Sequence, residues 1–161
     1  MDYLTKINSN LNKILVFFSG AAVLTLTGIA AGNMLFRIIY KPIHGSYELV
    51  GFCGAVATGF ALGYTQIRKD HIIVTMFTDK FPKGVNRFLD GLNYTVNTVF
   101  FGIVSWQTFK WGMKISHVGE VSETLKMIYH PFVYCLALGF AVLSFTLLID
   151  FIRLFRKEVS T

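Results

Sequence analysis

The chain has 161 residues, of which 53% are hydrophobic and 15% charged, with a mean hydropathy of +0.55. That balance excludes an ordinary soluble domain of this size and fits a chain whose mass lies in lipid. The net charge is +6, yet Lys and Arg punctuate apolar runs and form no single basic face, so orientation on anionic lipid is expected and nucleic-acid binding is not.

Four stretches carry no Asp, Glu, Lys, Arg or His: Ile14 to Phe36, Leu49 to Ile67, Gly91 to Phe109 and Pro131 to Ile149, of 23, 19, 19 and 19 residues. A hydrocarbon core of about 30 Å takes about 20 helical residues at about 1.5 Å each, and a spanning segment must satisfy its backbone internally. The expectation is an all-α integral membrane protein, one membrane domain over 1–161, with four transmembrane helices near 14–36, 49–67, 88–111 and 131–152. Lys6 and Lys13 precede the first run as they would in a signal peptide. That run continues uncharged through Gly32 to Phe36, past the usual 7–15 residues of such a segment, which reads as an uncleaved first span.

Span two is the most patterned. Gly51, Ala55, Gly59 and Gly63 recur every four residues and so share one helix face, where a second helix can approach closely. Packing within the bundle and docking of another subunit both fit that stripe. Beyond it, Ile72, Ile73, Met76 and Phe77 fall on one helical face, and Pro82 ends the segment. About ten residues are too few to cross, so a short interfacial helix near 71–81 is predicted, with Lys69, Lys80 and Lys83 toward anionic headgroups. The loop from Lys110 to His130 is read as the longest external connection, broken at Gly112 and Gly119.

Ten of the 15 Lys and Arg residues lie in the amino tail, the loop from Arg68 to Arg87 and the carboxyl tail. Lys/Arg excess marks the cytoplasmic side, which puts both termini inside. The other five (Arg37, Lys41, Lys110, Lys114 and Lys126) then lie outside.

Ionisable residues buried in a membrane are costly and usually functional, and the four stretches have none. Asn33, Asn93, Asn97 and Gln107 are the main intramembrane amides, suited to hydrogen bonds between helices. His44, His71, His117 and His130 sit in loops or at span edges, unsuited to haem held between spans, and lack zinc-binding spacing. There is no phosphate-binding loop and no nucleophile elbow. No CxxC exists, and Cys53 and Cys135 read as small apolar side chains. No enzyme and no cofactor is expected. Glu48 opens span two, where the helix dipole favours a carboxylate.

In order and spacing the parts resemble the small membrane subunit (DctQ-like) of tripartite ATP-independent periplasmic, or TRAP, transporters. The matching residues are Gly45-Ser46-Tyr47-Glu48-Leu49, then Arg68-Lys69-Asp70-His71-Ile72-Ile73-Val74-Thr75, then Phe81-Pro82. Tyr47 and Thr75 depart from acids common in that family, so only Glu48, Arg68, Lys69 and His71 carry its motif. The resemblance implies a bacterial inner-membrane, multi-pass subunit with two partners: a large sodium-coupled permease of elevator type and a periplasmic substrate-binding protein. Sodium would then be bound by the large subunit, and the cargo would be an organic acid anion, such as a sialic acid, a C4-dicarboxylate or an organosulfonate. Arg37, Lys41, Lys114, Glu120 and Glu123 are the candidate residues for docking the binding protein. The alternative reading is a self-contained small transporter acting as a homo-oligomer, which a buried carboxylate would favour.

Overall fold

The computed structural model describes residues 2–39, 41, 43–68 and 83–156. They form four long helices: α1 (Asp2–Ile39), α2 (Ser46–Arg68), α3 (Lys83–Val118) and α4 (His130–Arg156). By length and composition α1, α2 and α4 can each cross a membrane. The interfacial segment near 71–81, with Lys69, His71, Ile72, Ile73, Met76, Phe77 and Lys80, lies outside the described residues.

Local chemistry explains where the helices stop. No Pro or Gly interrupts the chain before Gly20, so α1 begins twelve residues ahead of the apolar run and ends with Arg37 in its last turn. There the cation meets the negative end of the helix dipole. Gly45, with φ +76°, turns the chain into α2. α3 runs through Gly112 and stops at Gly119, whose φ is +67°. The Glu120 amide then donates to the Ile115 carbonyl at 3.2 Å, the six-to-one bond of a Schellman end. Gly112 is therefore not the break expected from sequence. It is buried in α3, where a Cβ would lie 2.8 Å from the Tyr134 ring, so glycine serves close packing there. Pro131 sits in the first turn of α4, where its missing N–H costs nothing.

The helices pack in a row. α1 lies against α2, α2 against α4, and α4 against α3, with a slight contact between α1 and α4. α4 is central: 44% of its apolar window is buried, against 11% for α1. Val133, Ala137, Val142, Leu143, Leu147 and Ile149 supply most of the buried apolar side chains. α1 and α3 are the two outer edges.

Serine hydroxyls tie neighbours together along the row. Ser19 donates to the Ala57 carbonyl at 2.8 Å, Ser105 to that of Ala137 at 2.9 Å, and Ser144 to that of Thr98 at 3.0 Å. In lipid such bonds are worth about 1 kcal/mol each.

Candidate functional site

The small-residue stripe of α2 divides into two parts. Toward the carboxyl end of α2, a Cβ on Gly59 would sit 3.1 Å from Leu136, and one on Gly63 would meet the Asn12 side chain and lie 3.3 Å from Val142. Ala55 is half-buried, and Gly51 has open space around it. α2 and α4 approach closely where Gly59 meets Gly139, since a Cβ on Gly139 would collide with the Gly59 backbone. Sequence reading missed Gly139, because one glycine in an apolar helix has no periodicity to mark it.

Below that crossing is a polar knot of Asn8, Asn12, Gln66, Thr146 and Asp150. The Asn12 amide donates to the Asn8 backbone carbonyl at 2.9 Å and the Asn8 side-chain oxygen at 3.0 Å. Thr146, from α4, donates to that same Asn8 oxygen at 3.0 Å. All three side chains are buried. Gln66 donates to Asp150 at 3.0 Å across the α2–α4 seam. The four-residue spacing of Asn8 and Asn12 was visible in sequence; their burial was not, because they precede the apolar run.

The end of the row that carries the α1–α2 turn and the α3–α4 connection is organised by Glu48. Its carboxylate accepts the backbone N–H of Thr124 at 2.7 Å and of Leu125 at 3.0 Å. These amides belong to a small hairpin closed by the Val121–Ile128 bridge and by the Ser122 amide bonding to the Met127 carbonyl at 2.9 Å. Lys126 takes φ +53° at its tip, and the Leu125 side chain covers Gly45. Glu48 thus pins the α3–α4 connection onto the start of α2, beyond a mere helix-end charge. Glu48→Gln, which leaves one good acceptor for two amides, is expected to speed hydrogen exchange at Thr124 and Leu125 while helix exchange stays unchanged. Unchanged exchange at both amides would show that the clamp does not hold the hairpin.

Beside the clamp, an open cleft of about 400 Å³ is lined by Asn33, Arg37, Ile43, His44, Tyr47, Glu48 and Thr124. Asn33 accepts the Ile43 amide at 2.8 Å and so shapes the α1–α2 turn. Arg37 and Lys41 are exposed at this turn, Lys114 is exposed near the carboxyl end of α3, and Glu120 and Glu123 are exposed on or beside the hairpin. Tyr129 stacks on Phe52 at 5.9 Å, and Phe52 on Phe132 at 4.9 Å, joining the amino-terminal ends of α2 and α4. Arg68 lies over the Tyr64 ring in the last turn of α2, 5.4 Å from its centroid. Lys83 is the first residue of α3.

Comparison with known families identifies a match over most of the chain. Residues 26–157 fit the description "Tripartite ATP-independent periplasmic transporters, DctQ component". No curated protein and no solved structure matched the chain.

Proposed function

The chain belongs to the DctQ component family of tripartite ATP-independent periplasmic transporters, and on that premise we propose that it is a fixed scaffold for a large sodium-coupled permease subunit. In this reading the permease carries an organic acid anion by an elevator movement. A periplasmic binding protein delivers the anion to the external face, and the small subunit neither binds sodium nor touches cargo. All four helices span the bacterial inner membrane with both termini inside.

The observation that carries this reading is the row α1–α2–α4–α3. A carrier has to enclose its cargo between helices, whereas a row spreads the same residues sideways. An elevator domain pushes laterally on its support, and a broad wall of helices resists tilting better than a bundle of equal mass. The four charge-free stretches agree with this, since a sodium- or proton-coupled site calls for a carboxylate or a polar cage at depth. Arg37, Lys41, Lys114, Glu120 and Glu123 are all external in this orientation and form part of the docking platform, where rim charges act mainly on association rate.

The orientation is tested with single cysteines at Lys83 and Ser116 in a Cys53→Ala/Cys135→Ala background. A membrane-impermeant thiol reagent on intact cells is expected to label position 116 and spare position 83; the opposite pattern would invert the topology. The scaffold role is tested by expressing the chain with a neighbour-encoded permease of about twelve spans and purifying it in mild detergent. A stable complex is expected, and a chain that purifies alone under every mild condition would contradict the proposal.

A further inference from the structure

Two asparagine pairs in this chain have the same spacing and the same internal geometry. In α1 the second amide, Asn12, donates to the backbone carbonyl of Asn8 at 2.9 Å and its side-chain oxygen at 3.0 Å. In α3 the second amide, Asn97, donates to the backbone carbonyl of Asn93 at 2.9 Å and its side-chain oxygen at 2.6 Å. The α1 pair is buried and completed by a hydroxyl from a neighbouring helix, Thr146 on Asn8. The α3 pair lies on the outer edge of the row, with Asn93 exposed and Asn97 half-buried, and neither has a partner outside α3 among the described residues. Asn97 stands six residues past Gly91, the start of the charge-free stretch, or about 9 Å into it. An amide at that depth facing acyl chains leaves an N–H or C=O without water to bond it.

A second feature distinguishes the same helix. Among the described residues, α1, α2 and α4 are apolar enough to cross a membrane on composition, and α3 is not. The shortfall comes partly from its outward face, where Asn93 and Gln107 stand among Val96, Phe100 and Ile103, each of the three 57% exposed. The outward face of α1 is smooth by comparison: Thr25 and Thr27 are bonded back to their own helix, and Phe17 and Leu24 are 74% and 76% exposed. One edge therefore suits lipid, and the other asks for a polar contact.

We propose that the α3 edge, centred on Asn93 and Asn97, is the face that meets the large subunit, through a membrane helix that presents a Ser or Thr hydroxyl to the asparagine pair as Thr146 does to Asn8. The proposal rests on the scaffold reading above and specifies which edge of the scaffold is used. α1 then forms the lipid-facing edge. Side-chain hydrogen bonds between helices in lipid are worth about 1–2 kcal/mol, so losing this contact weakens association about five- to thirtyfold.

The test uses the full chain expressed with its neighbour-encoded large subunit. A photoreactive residue placed at Phe100 or Ile103 is expected to cross-link to the large subunit in membranes, and one at Phe17 or Leu24 is expected not to. Asn93→Leu/Asn97→Leu raises the hydropathy of α3, so insertion is favoured, and its melting profile when purified alone is expected to match the parent. Recovery of the large subunit with it should fall at least about fivefold. Cross-links from α1 with none from α3, or unchanged recovery with the double variant, would overturn the choice of edge while leaving the scaffold reading intact. Cross-links from α3 to a second copy of this chain would also overturn it, in favour of a homo-oligomer. Failure of the unaltered chain to capture the large subunit would remove the scaffold reading and this proposal together.

Discussion

Gly139→Leu is expected to separate α2 from α4 and to cause the largest loss of stability of any single substitution considered for this chain. A side chain at position 139 runs into the backbone of Gly59, and backbone cannot rotate aside as the tip of a side chain can. Overpacking typically costs about 1–3 kcal/mol, and a backbone obstacle puts this site at about 3 kcal/mol or more. Gly59→Leu meets Leu136 instead, including its Cα at 3.3 Å, and should cost somewhat less. Gly51→Leu enters open space on the same stripe and should melt within about 0.5 kcal/mol of the parent. Thermal unfolding in detergent, followed by circular dichroism, ranks the three. A Gly139→Leu chain that melts like the parent while Gly51→Leu does not would place the α2–α4 contact on the wrong half of the stripe.

That contrast also shows how far the residues could be read without coordinates. The charge-free lengths and the four-residue repeat in span two are periodic signals, and periodicity is what sequence exposes. Which half of the repeat meets a neighbour depends on a glycine eighty residues away, and pairing of distant residues leaves no mark in a single sequence. The same holds for Glu48. Its position suggested a helix-end charge, but its partners are the amides of Thr124 and Leu125, and backbone donors cannot be recognised from side-chain identity. Gly112 misled because glycine both ends helices and lets them touch; only the Tyr134 ring beside it decides between the two. The polar knot was overlooked for a different reason. Asn8 and Asn12 precede the apolar run, so a hydropathy reading assigns them to a tail, although α1 continues through them and turns them inward.

The second large effect concerns transport itself. Uptake by the complete three-part system is expected to fall to background when this chain is left out, because in the proposed reading an elevator without its support cannot hold position against the bilayer. It is expected to return when the chain is supplied separately. Cargo selectivity should not change with any substitution in this chain, since in the scaffold reading only the other two components contact the cargo.

The central claim is that the chain supports transport without performing it, and proteoliposomes containing this chain alone test that most directly. Under an inward sodium gradient, and with a binding protein loaded with each candidate carboxylate or sulfonate outside, they are expected to accumulate none, while vesicles that also hold the large subunit accumulate the matching anion. Sodium-driven uptake by vesicles holding only this chain would show that it is a transporter in its own right and contradict the scaffold account.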